Sequence, residues 1–456
     1  MSGSAIVPRP ASRVDTGQNT FAMSEDWRLI ATGSALAGFE GERSTRDGQP
    51  LVVGPANPAN LAALRDRLPW LRPQLLGVAL SAGFGDRLGL ATPGHVEALR
   101  SAGQGIAPIF AQQSMREMSR SRRTPTEVLD DAAWGVFAAG WQAGFGADAD
   151  HLKTEADVEI CAAAGYTFFT IDPGEAAWAG ADDAAPADVA TAVDSLPWDL
   201  LEDSRSNLVA RHPGDGEETL RAAAKYGRAV AQVARLDRRL RELRGREYEL
   251  EVSVDETESP TTPAQHEYFV TELQRLGVAI VSLAPRFPGR FEKGVDFIGD
   301  LDLFEAAFAA HIEIARRLGP YKLSLHSGSD KFSIYPAAAR LAGGLVHLKT
   351  AGTSWLEALR TLQVIDPGLL EEIYSFASGR YPAERASYHV SAEVATSPRA
   401  ADLDDDGCRQ ILHVTFGTVL EQFGGRLLDR LRANRPLYEA TVQRHFERHL
   451  APFQVR

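Results

Sequence analysis

Three histidines stand where short apolar segments give way to polar residues. The tetrapeptide His-Leu-Lys-Thr occurs twice, at residues 151–154 and 347–350, and His326 ends the apolar run before the second copy. Neutral imidazole is a common nitrogen ligand of divalent metal ions. A single histidine in such a position more often hydrogen-bonds a neighbouring loop, but His151, His326 and His347 together predict a site for one divalent cation. The ligand types suit zinc, manganese, iron, cobalt or nickel and do not distinguish among them.

Carboxylates beside these histidines supply groups for proton transfer. Asp150 directly precedes His151, and Asp255 and Glu256 close a predicted strand with an acidic face. Such carboxylates act as metal ligands, as general acids or bases, or as hydrogen-bond partners of the ligands. Because neighbouring side chains of a strand diverge, we assign His151 to the metal and Asp150 to proton transfer. For Asp255 and Glu256 the alternative is the start of a helix, since hydroxyl residues follow them.

Basic and polar residues at the same predicted strand ends suggest how an anionic substrate is held. Arginine pairs well with carboxylates, and several cations cluster at these ends although the chain is acidic overall. Some of these cations, Arg290 and Lys293 among them, are equally explained as solvated loop charges. The residues expected to contact substrate are Lys153, Asp255, Arg286, Ser329, Asp330, Lys331, Lys349 and Thr350.

Short apolar segments alternate with helical patterns from about residue 75 onward. Apolar residues three and four positions apart predict helices over 219–243, 263–276 and 301–318. Eight strand and helix units in alternation predict an α/β fold, a (β/α)8 TIM-type barrel with its active site at the C-terminal strand ends. An open doubly wound sheet stays the alternative, because periodicity does not show closure. The predicted strands cover residues 76–81, 106–112, 145–151, 166–172, 248–255, 278–284, 321–326 and 345–350.

Less regular segments flank the predicted barrel. Residues 1–50 are rich in serine, glycine and polar side chains, which predicts a flexible, peripheral N-terminal segment. Residues 51–366 form the predicted catalytic barrel, with an alanine- and aspartate-rich surface insertion near 174–193. Residues 367–456 contain helical patterns at 369–378 and 408–431 and an extra site loop at 388–391. They predict a C-terminal helical extension packed on the barrel.

The composition excludes several classes of partner. The chain has 456 residues, 44% of them hydrophobic, and 61 acidic against 48 basic residues give a net charge of -13, which opposes nucleic-acid binding. Two cysteines far apart, Cys161 and Cys408, predict no disulfide framework and agree with a cytoplasmic location. A signal-peptide core and a run of about 18 apolar residues are both lacking, so no membrane partner is expected. The oligomeric state is left open, a homo-oligomer included.

A glycine-rich segment after the first predicted strand imitates a dinucleotide-binding loop. Gly83, Gly85 and Gly89 have one residue too many before the third glycine. The next predicted strand ends in glutamines, where an acid would bind the ribose hydroxyl of the cofactor. We therefore expect no NAD.

The same motifs resemble a known family, the tagaturonate epimerases of bacterial uronate metabolism, also called tagaturonate/fructuronate epimerases. The long polar block that begins at Tyr321 is the most specific of them. The matching blocks are residues 149–154, 166–173, 251–257, 282–300, 321–336, 345–359 and 388–391.

The resemblance implies a metal-dependent barrel enzyme, a carbohydrate epimerase that interconverts D-tagaturonate and D-fructuronate, two ketohexuronates that differ at C4. Carried over by position, it implies His151, His326 and His347 as metal ligands and Asp150 as proton acceptor. It implies Glu256 as proton donor, with the adjacent Asp255 as the alternative.

The chemistry of the substrate suggests how C4 is inverted. A ketone at C2 acidifies C3 and leaves the C4 proton unactivated, so retro-aldol cleavage of the C3–C4 bond, with a metal-stabilised enediolate, is the expected route. A metal-dependent epimerase or isomerase of another ketose, such as tagatose, fructose or a sugar phosphate, is the first alternative. A sugar-acid binding protein without catalysis is the second, but it leaves the paired carboxylates without a purpose.

Overall fold

The computed structural model describes residues 6–211, 216–394 and 400–454. Its strands fall into two sheets, one near the N-terminus and one in the body of the chain. In chain order the strands are β1 Val14–Asp15, β2 Asn19–Met23, β3 Arg28–Gly33, β4 Glu42–Arg46, β5 Gln49–Pro55, β6 Ser81–Gly83, β7 Ala107–Ser114, β8 Gly146–Leu152, β9 Phe168–Ile171, β10 Glu249–Ser253, β11 Ser282–Ala284, β12 Lys322–Leu325 and β13 Val346–Lys349.

Strands β6 to β13 close into a parallel barrel of eight strands, in which β13 pairs with β6. The prediction of a (β/α)8 barrel is thereby confirmed, and the open sheet is excluded. Two strands were partly misplaced in the prediction. Residues 76–81 begin with a turn in which Gly77 has φ 60, and the strand starts only at Ser81. The strand predicted over residues 278–284 starts only at Ser282. Apolar residues mark burial, whereas a strand also needs extended backbone and a pairing partner, which explains the error.

Helices surround the barrel and continue beyond it. Four of these helices begin with a serine or threonine capping box, in which the hydroxyl accepts a backbone N–H that the first turn leaves unpaired. They are the helices Met115–Ser121, Pro125–Ala138, Glu155–Ala164 and Pro263–Arg275. The helices are α1 Pro58–Arg65, α2 Thr92–Ala102, α3 Met115–Ser121, α4 Pro125–Ala138, α5 Glu155–Ala164, α6 Pro186–Asp194, α7 Arg205–Arg211, α8 Gly216–Arg244, α9 Pro263–Arg275, α10 Leu301–Leu318, α11 Tyr335–Ala342, α12 Thr353–Ile365, α13 Pro367–Glu384, α14 Asp406–Val414, α15 Phe416–Ala433 and α16 Arg435–Leu450.

Residues 14–55 form strands, although a flexible beginning was predicted for residues 1–50, of which residues 1–5 lie outside the described part of the chain. Strands β1 to β5 form an antiparallel sheet in the order β1-β2-β3-β5-β4. Its inner face belongs to the main core, because Phe21, Leu29 and Val52 are fully buried. Serine and glycine content lowered the predicted order, but pairing between neighbouring strands and burial of one face outweigh that local preference.

The insertion and the C-terminal extension are helical. Two short 3-10 helices and α6 occupy the region predicted as an insertion near 174–193, and α6 packs against α8. Helix α16 packs against α2 and α12 on the outside of the barrel. The helix predicted over 408–431 is divided at Thr415 into α14 and α15. Within the described part of the chain, no helix is both long and apolar enough to pass through a membrane.

Replacement of Phe21 tests whether the N-terminal sheet belongs to the folded core. Phe21→Ala removes a fully buried ring that lies 5.5 Å from the ring of Phe39, so we expect the free energy of unfolding to fall by about 3 to 5 kcal/mol. Urea denaturation followed by circular dichroism measures the change. The control Thr45→Ala, on the exposed strand β4, should cost less than about 1 kcal/mol. Equal stability of both variants would show that the sheet is not part of the cooperative core.

Candidate active site

A bulge at the end of β8 brings two neighbouring side chains to the same place. The register between β8 and β9 shifts after Ala149, and His151 has φ 55. Asp150 Oδ1 therefore lies 2.8 Å from Nδ1 of His151, although adjacent side chains of a regular strand point to opposite faces. The bulge lets a carboxylate and an imidazole face the barrel mouth together.

His326 follows β12 and completes a group that could hold a cation. Its ring lies 5.1 Å from the ring of His151, and its Nε2 lies 2.6 Å from Oε1 of Glu251 on β10. Asp255 Oδ1 approaches its Nδ1 to 3.3 Å. Asp150, His151 and His326 each present one ligand atom, and these three atoms lie within 4.8 Å of one another. The structure thus brings together two of the three predicted ligands and the predicted base.

Lys349, at the end of β13, lies among buried carboxylates beneath this group. Its Nζ donates a hydrogen bond of 2.6 Å to Asp150 and lies 2.8 Å from Glu251 and 2.9 Å from Asp148. Thr170 Oγ1 is a further acceptor at 2.6 Å. Since three buried carboxylates surround one ammonium, the barrel interior keeps an excess of negative charge at this level.

That excess negative charge favours positive charge on the two imidazoles. Burial opposes protonation of His151, but the carboxylate of Asp150 outweighs it and raises the pKa of His151 to about 10. Burial and Lys349 both disfavour the charged form of His326, yet Asp255 and Glu251 raise its pKa. The same excess of negative charge favours a divalent cation, so these residues could hold one in place of the protons on the two imidazoles.

His347 lies deeper, in the barrel interior, outside the group of three ligand atoms. Its Nδ1 lies 2.9 Å from the hydroxyl oxygen of Ser81 and 3.3 Å from the backbone oxygen of the same residue. Nε2 is buried and has no hydrogen-bond partner in the described residues. Burial lowers the pKa of His347 to about 3, which keeps the ring neutral.

Two adjoining cavities open above the group. The larger, of about 440 Å³, has Asp255, Arg286 and Lys293 on its wall, and the smaller, of about 260 Å³, reaches His151 and Lys153. Arg116 and Glu256 line both cavities. Two of the cations have partners, because Lys153 binds Glu175 at 2.6 Å and Lys293 binds Ser327 at 2.5 Å. No ion pair of Arg286 occurs among the described residues, which leaves its guanidinium available to an anion.

The C-terminal segment forms part of the cavity wall. Tyr388 and His389 line the larger cavity, in agreement with the site loop predicted at 388–391. Arg120 Nη1 donates a hydrogen bond of 2.8 Å to the hydroxyl of Tyr388, and the guanidinium of Arg116 lies 5.0 Å from its ring centroid. The loop is thus held against α3 by two arginines.

Ser329 and Thr350, both predicted to contact substrate, instead form hydrogen bonds to neighbouring parts of the protein. Ser329 Oγ receives a hydrogen bond of 2.6 Å from Thr353, and Thr350 Oγ1 donates one of 2.6 Å to the backbone of Gly83. Both side chains are buried and line neither cavity. Their hydroxyls join neighbouring strand ends, which accounts for polar residues at positions where direct contact was expected.

Lys331, also predicted to bind substrate, anchors the loop that forms the cavity wall. Its fully buried Nζ donates to the backbone oxygens of Glu292 at 2.8 Å, Val295 at 2.5 Å and Ser329 at 3.0 Å. These three bonds use all its donors. Burial lowers its pKa to about 7. The ammonium therefore holds the loop that carries Lys293, and does not reach the cavity.

Asp330 was also predicted to contact substrate, but it binds neighbouring protein groups and lines neither cavity. Its Oδ1 lies 2.6 Å from His445 Nε2, its Oδ2 accepts from Arg409 at 2.7 Å, and its backbone N–H donates to His449 Nε2 at 2.9 Å. Asp330, His445 and His449 also present ligand atoms within 4.8 Å of one another. Because Arg409 balances the carboxylate and His449 already accepts a hydrogen bond, this group is an ion-pair network that ties α14 and α16 to the loop after His326.

Sequence reasoning missed Arg116 and Asp148. Asp148 and Asp150 alternate along β8, and the period of two places both carboxylates inside the barrel. That signal was present in the sequence. Arg116 follows β7 closely and lies at a strand end like the other site residues, but its helical surroundings concealed it.

The closed barrel, with carboxylates and imidazoles at its C-terminal mouth, defines the class: a (β/α)8-barrel enzyme with an acid–base site. Comparison with known proteins gives the family. The profile of UxaE, tagaturonate epimerase, matches residues 21–453. A tagaturonate/fructuronate epimerase of Thermotoga maritima is 42% identical over 410 residues, which cover 86% of this chain and 85% of that protein. The chain belongs to the tagaturonate epimerase family and is therefore an isomerase, a carbohydrate epimerase.

Solved structures agree with this assignment. The native structure of the fructuronate-tagaturonate epimerase UxaE from Cohnella laeviribosi matches with a TM-score of 0.91 and 33% identity, over 99% of this chain and 97% of that one. The same enzyme complexed with one glycerol matches with a TM-score of 0.91, over 98% and 96% of the two chains. The predicted family resemblance and fold are both confirmed.

Replacement of Lys349 tests the balance of charge in the barrel. Lys349→Met leaves Asp148, Asp150 and Glu251 without their shared ammonium, so we expect a loss of about 3 to 5 kcal/mol in the free energy of unfolding at neutral pH. Without Lys349 the folded pKa values of these carboxylates rise, because its ammonium lowers each of them. The loss should therefore shrink as pH falls from 7 toward 5 and grow as pH rises. Denaturant unfolding in the presence of a chelator measures it.

Lys322→Met is the matched control. Lys322 is equally buried in the barrel, but its Nζ binds only the backbone oxygen of Gly77 and the hydroxyl of Ser81, each at 3.0 Å. Because Lys322 forms no direct ion pair with a carboxylate among the described residues, the change in stability should vary less between pH 5 and 7 than that of Lys349→Met. The same pH dependence in both variants would contradict the proposed role of Lys349.

Proposed function

We propose that this protein interconverts D-tagaturonate and D-fructuronate by inverting C4, with a divalent cation at the barrel mouth. The observation that carries the proposal is the convergence of Asp150, His151 and His326, with ligand atoms within 4.8 Å of one another beside a cavity. The names of the Thermotoga and Cohnella relatives supply the substrate pair. A ketohexuronate, a small polyhydroxylated anion, agrees with the polar and cationic wall of the cavity.

His151 and His326 would hold the cation, with His347 as the third nitrogen ligand. Support for His347 comes from its buried Nε2, which has no hydrogen-bond partner among the described residues, and from the contact of Nδ1 with Ser81, which orients the ring as an outer partner of a metal ligand does. The imidazole set suits zinc, manganese, iron, cobalt or nickel. When bound, the cation supplies a Lewis acid for negative charge that develops on the C2 oxygen of the substrate.

Asp150 is the proposed proton acceptor. Burial disfavours its charge, but His151 and Lys349 hold its pKa well below the usual range, so it is ionised at neutral pH. It takes the proton of the C4 hydroxyl, the C3–C4 bond breaks, and the electron pair passes to C3 and the C2 carbonyl. The products are an enediolate of C1 to C3 and an aldehyde of C4 to C6. Rotation about the C4–C5 bond presents the other face of the aldehyde, and the bond forms again.

Glu256 is the proposed proton donor to the new C4 alkoxide. Its side chain is 38% exposed, lines both cavities and lies 3.7 Å from Arg116. The neighbouring Asp255 is a poor donor, because His326 and Ser253 contact it and outweigh burial, which keeps its pKa below the ordinary value. Since inversion moves the C4 oxygen, acceptor and donor are expected at different places, as Asp150 and Glu256 are.

Arg286 is the proposed partner of the terminal carboxylate. It lines the larger cavity on the side of Arg290 and Lys293. An arginine holds a carboxylate through two parallel N–H groups, which would fix the direction in which the substrate enters. Lys153 and Asp255 are the other predicted contacts that the cavities retain.

Turnover in deuterated water tests the proposal. Purified protein with a divalent cation, and without added nicotinamide, should convert D-tagaturonate to D-fructuronate by NMR, with no reaction of tagatose or fructose. C4 should keep its hydrogen, because that carbon becomes an aldehyde and is never a carbanion. Asp150→Asn should lower kcat by about 10² to 10⁴.

The possible failures are distinct. Deuterium at C4 would contradict the retro-aldol route and indicate direct proton exchange at that carbon. Turnover of tagatose comparable to that of tagaturonate would contradict recognition of the carboxylate. Binding of the sugar acid without conversion would contradict the enzymatic function itself.

A further inference from the structure

A groove far larger than the active-site cavities lies between the N-terminal sheet and the C-terminal helices. Its volume is about 830 Å³. The turn between β2 and β3 contributes Trp27, helix α4 contributes Trp134, and the start of α16 contributes Arg435. None of the residues that line it belongs to the two active-site cavities. The groove is therefore separate from the proposed reaction.

Arg435 is a buried cation whose Nη1 has no hydrogen-bond partner among the described residues. Its exposure is only 8%, yet no hydrogen bond or ion pair of its guanidinium occurs within residues 6–211, 216–394 and 400–454. The indole of Trp27 covers one face of the group, with the guanidinium carbon 3.9 Å from the ring centroid. Stacking of this kind leaves the in-plane N–H groups to bind an acceptor.

The nearby carboxylates bind other arginines, although Oε1 of Glu439, one turn further along α16, is buried and has no hydrogen-bond partner among the described residues. Glu439 accepts from Arg9 at 2.8 Å, Asp131 accepts from Arg123 at 2.6 Å, and Asp26 accepts from Arg28 at 2.6 Å. Two further acids of the groove, Glu25 and Glu42, are exposed, so water screens their charge. At this end of the groove, Nη1 of Arg435 and Oε1 of Glu439 therefore both lack a hydrogen-bond partner among the described residues.

Two costs are concentrated at this point. Burial of a charge without an acceptor is unfavourable, and burial lowers the pKa of Arg435 to about 10. Trp27 has φ 64, a left-handed conformation that a bulky residue rarely adopts. Both costs are explained if Trp27 orients Arg435 toward a ligand that provides the missing acceptor.

We propose that the groove binds the oxyanion of a small metabolite, a phosphate or a carboxylate, through the guanidinium of Arg435 stacked on Trp27. Arg432, exposed on the same wall, adds a second positive charge. An anion bound there contacts the N-terminal sheet and α16 together, and joins the two parts of the chain that flank the barrel.

Calorimetric titration of the full chain with inorganic phosphate and, separately, with acetate tests the proposal. The buffer contains only chloride as the competing anion. The wild-type protein should show saturable binding of at least one of the two, and the one that binds identifies the chemistry. Arg435→Met should weaken binding roughly tenfold or more, since a charge-assisted hydrogen bond is lost. Arg435→Lys, which keeps the charge but not the planar fork, should bind more weakly than wild type.

Arg444→Met is the matched control, because Arg444 is exposed on the same helix and lies outside the groove. It should bind as the wild type does. In the chloride buffer without phosphate or acetate, the melting temperature of Arg435→Met should be no lower than that of the wild type, because a buried charge without an acceptor has been removed. Absence of saturable binding to the wild type, or equal binding by Arg435→Met, would overturn the proposal and leave water as the partner of Arg435. Epimerase turnover should stay unchanged in Arg435→Met, which separates this result from the fate of the proposed function.

Discussion

The excess of negative charge at the C-terminal mouth of the barrel is the constraint on which the site depends. Asp148, Asp150 and Glu251 share a single ammonium, that of Lys349. Such an arrangement is costly in a protein interior unless positive charge is supplied close by. The imidazoles of His151 and His326 lie where that charge is needed. The negative field raises the pKa values of these imidazoles, whereas the positive charges of His151 and Lys349 keep Asp150 ionised.

The helices after the barrel support this arrangement from outside. Asp330, in the loop after His326, is held by Arg409 on α14 and by His445 and His449 on α16. Lys331, the next residue, fixes the backbone of the loop that carries the cavity cations. The C-terminal extension is thus part of the active-site framework, and the polar block near residue 330 that drew attention in the sequence positions the site without touching the cavity.

The sequence predicted the parts of the site that follow from strand period and strand order. The barrel and the approach of His326 to His151 were accessible, because parallel strands end at one edge. The direction in which each side chain points was harder to predict from the sequence. Ser329, Asp330, Lys331 and Thr350 were predicted as contacts, but their side chains point into neighbouring loops, and residue type alone does not show this.

Two further features of the structure were not predicted from the sequence, each for a physical reason. The bulge after Ala149 depends on backbone pairing between β8 and β9, which no side-chain pattern reveals. The N-terminal sheet was underestimated because its strands are polar on one face and rich in turns, although Phe21 and Leu29 bury the other face. In both cases tertiary pairing decides a structure that local composition leaves open.

Crystallographic data collected at the absorption edge of the bound metal, from protein purified with its cation, test the central claim most directly. We predict one anomalous peak within roughly 2.0 to 2.2 Å of nitrogens of His151 and His326, with Nε2 of His347 as the third ligand. A peak between Asp330, His445 and His449, or no peak in an enzyme that turns over tagaturonate, would contradict it.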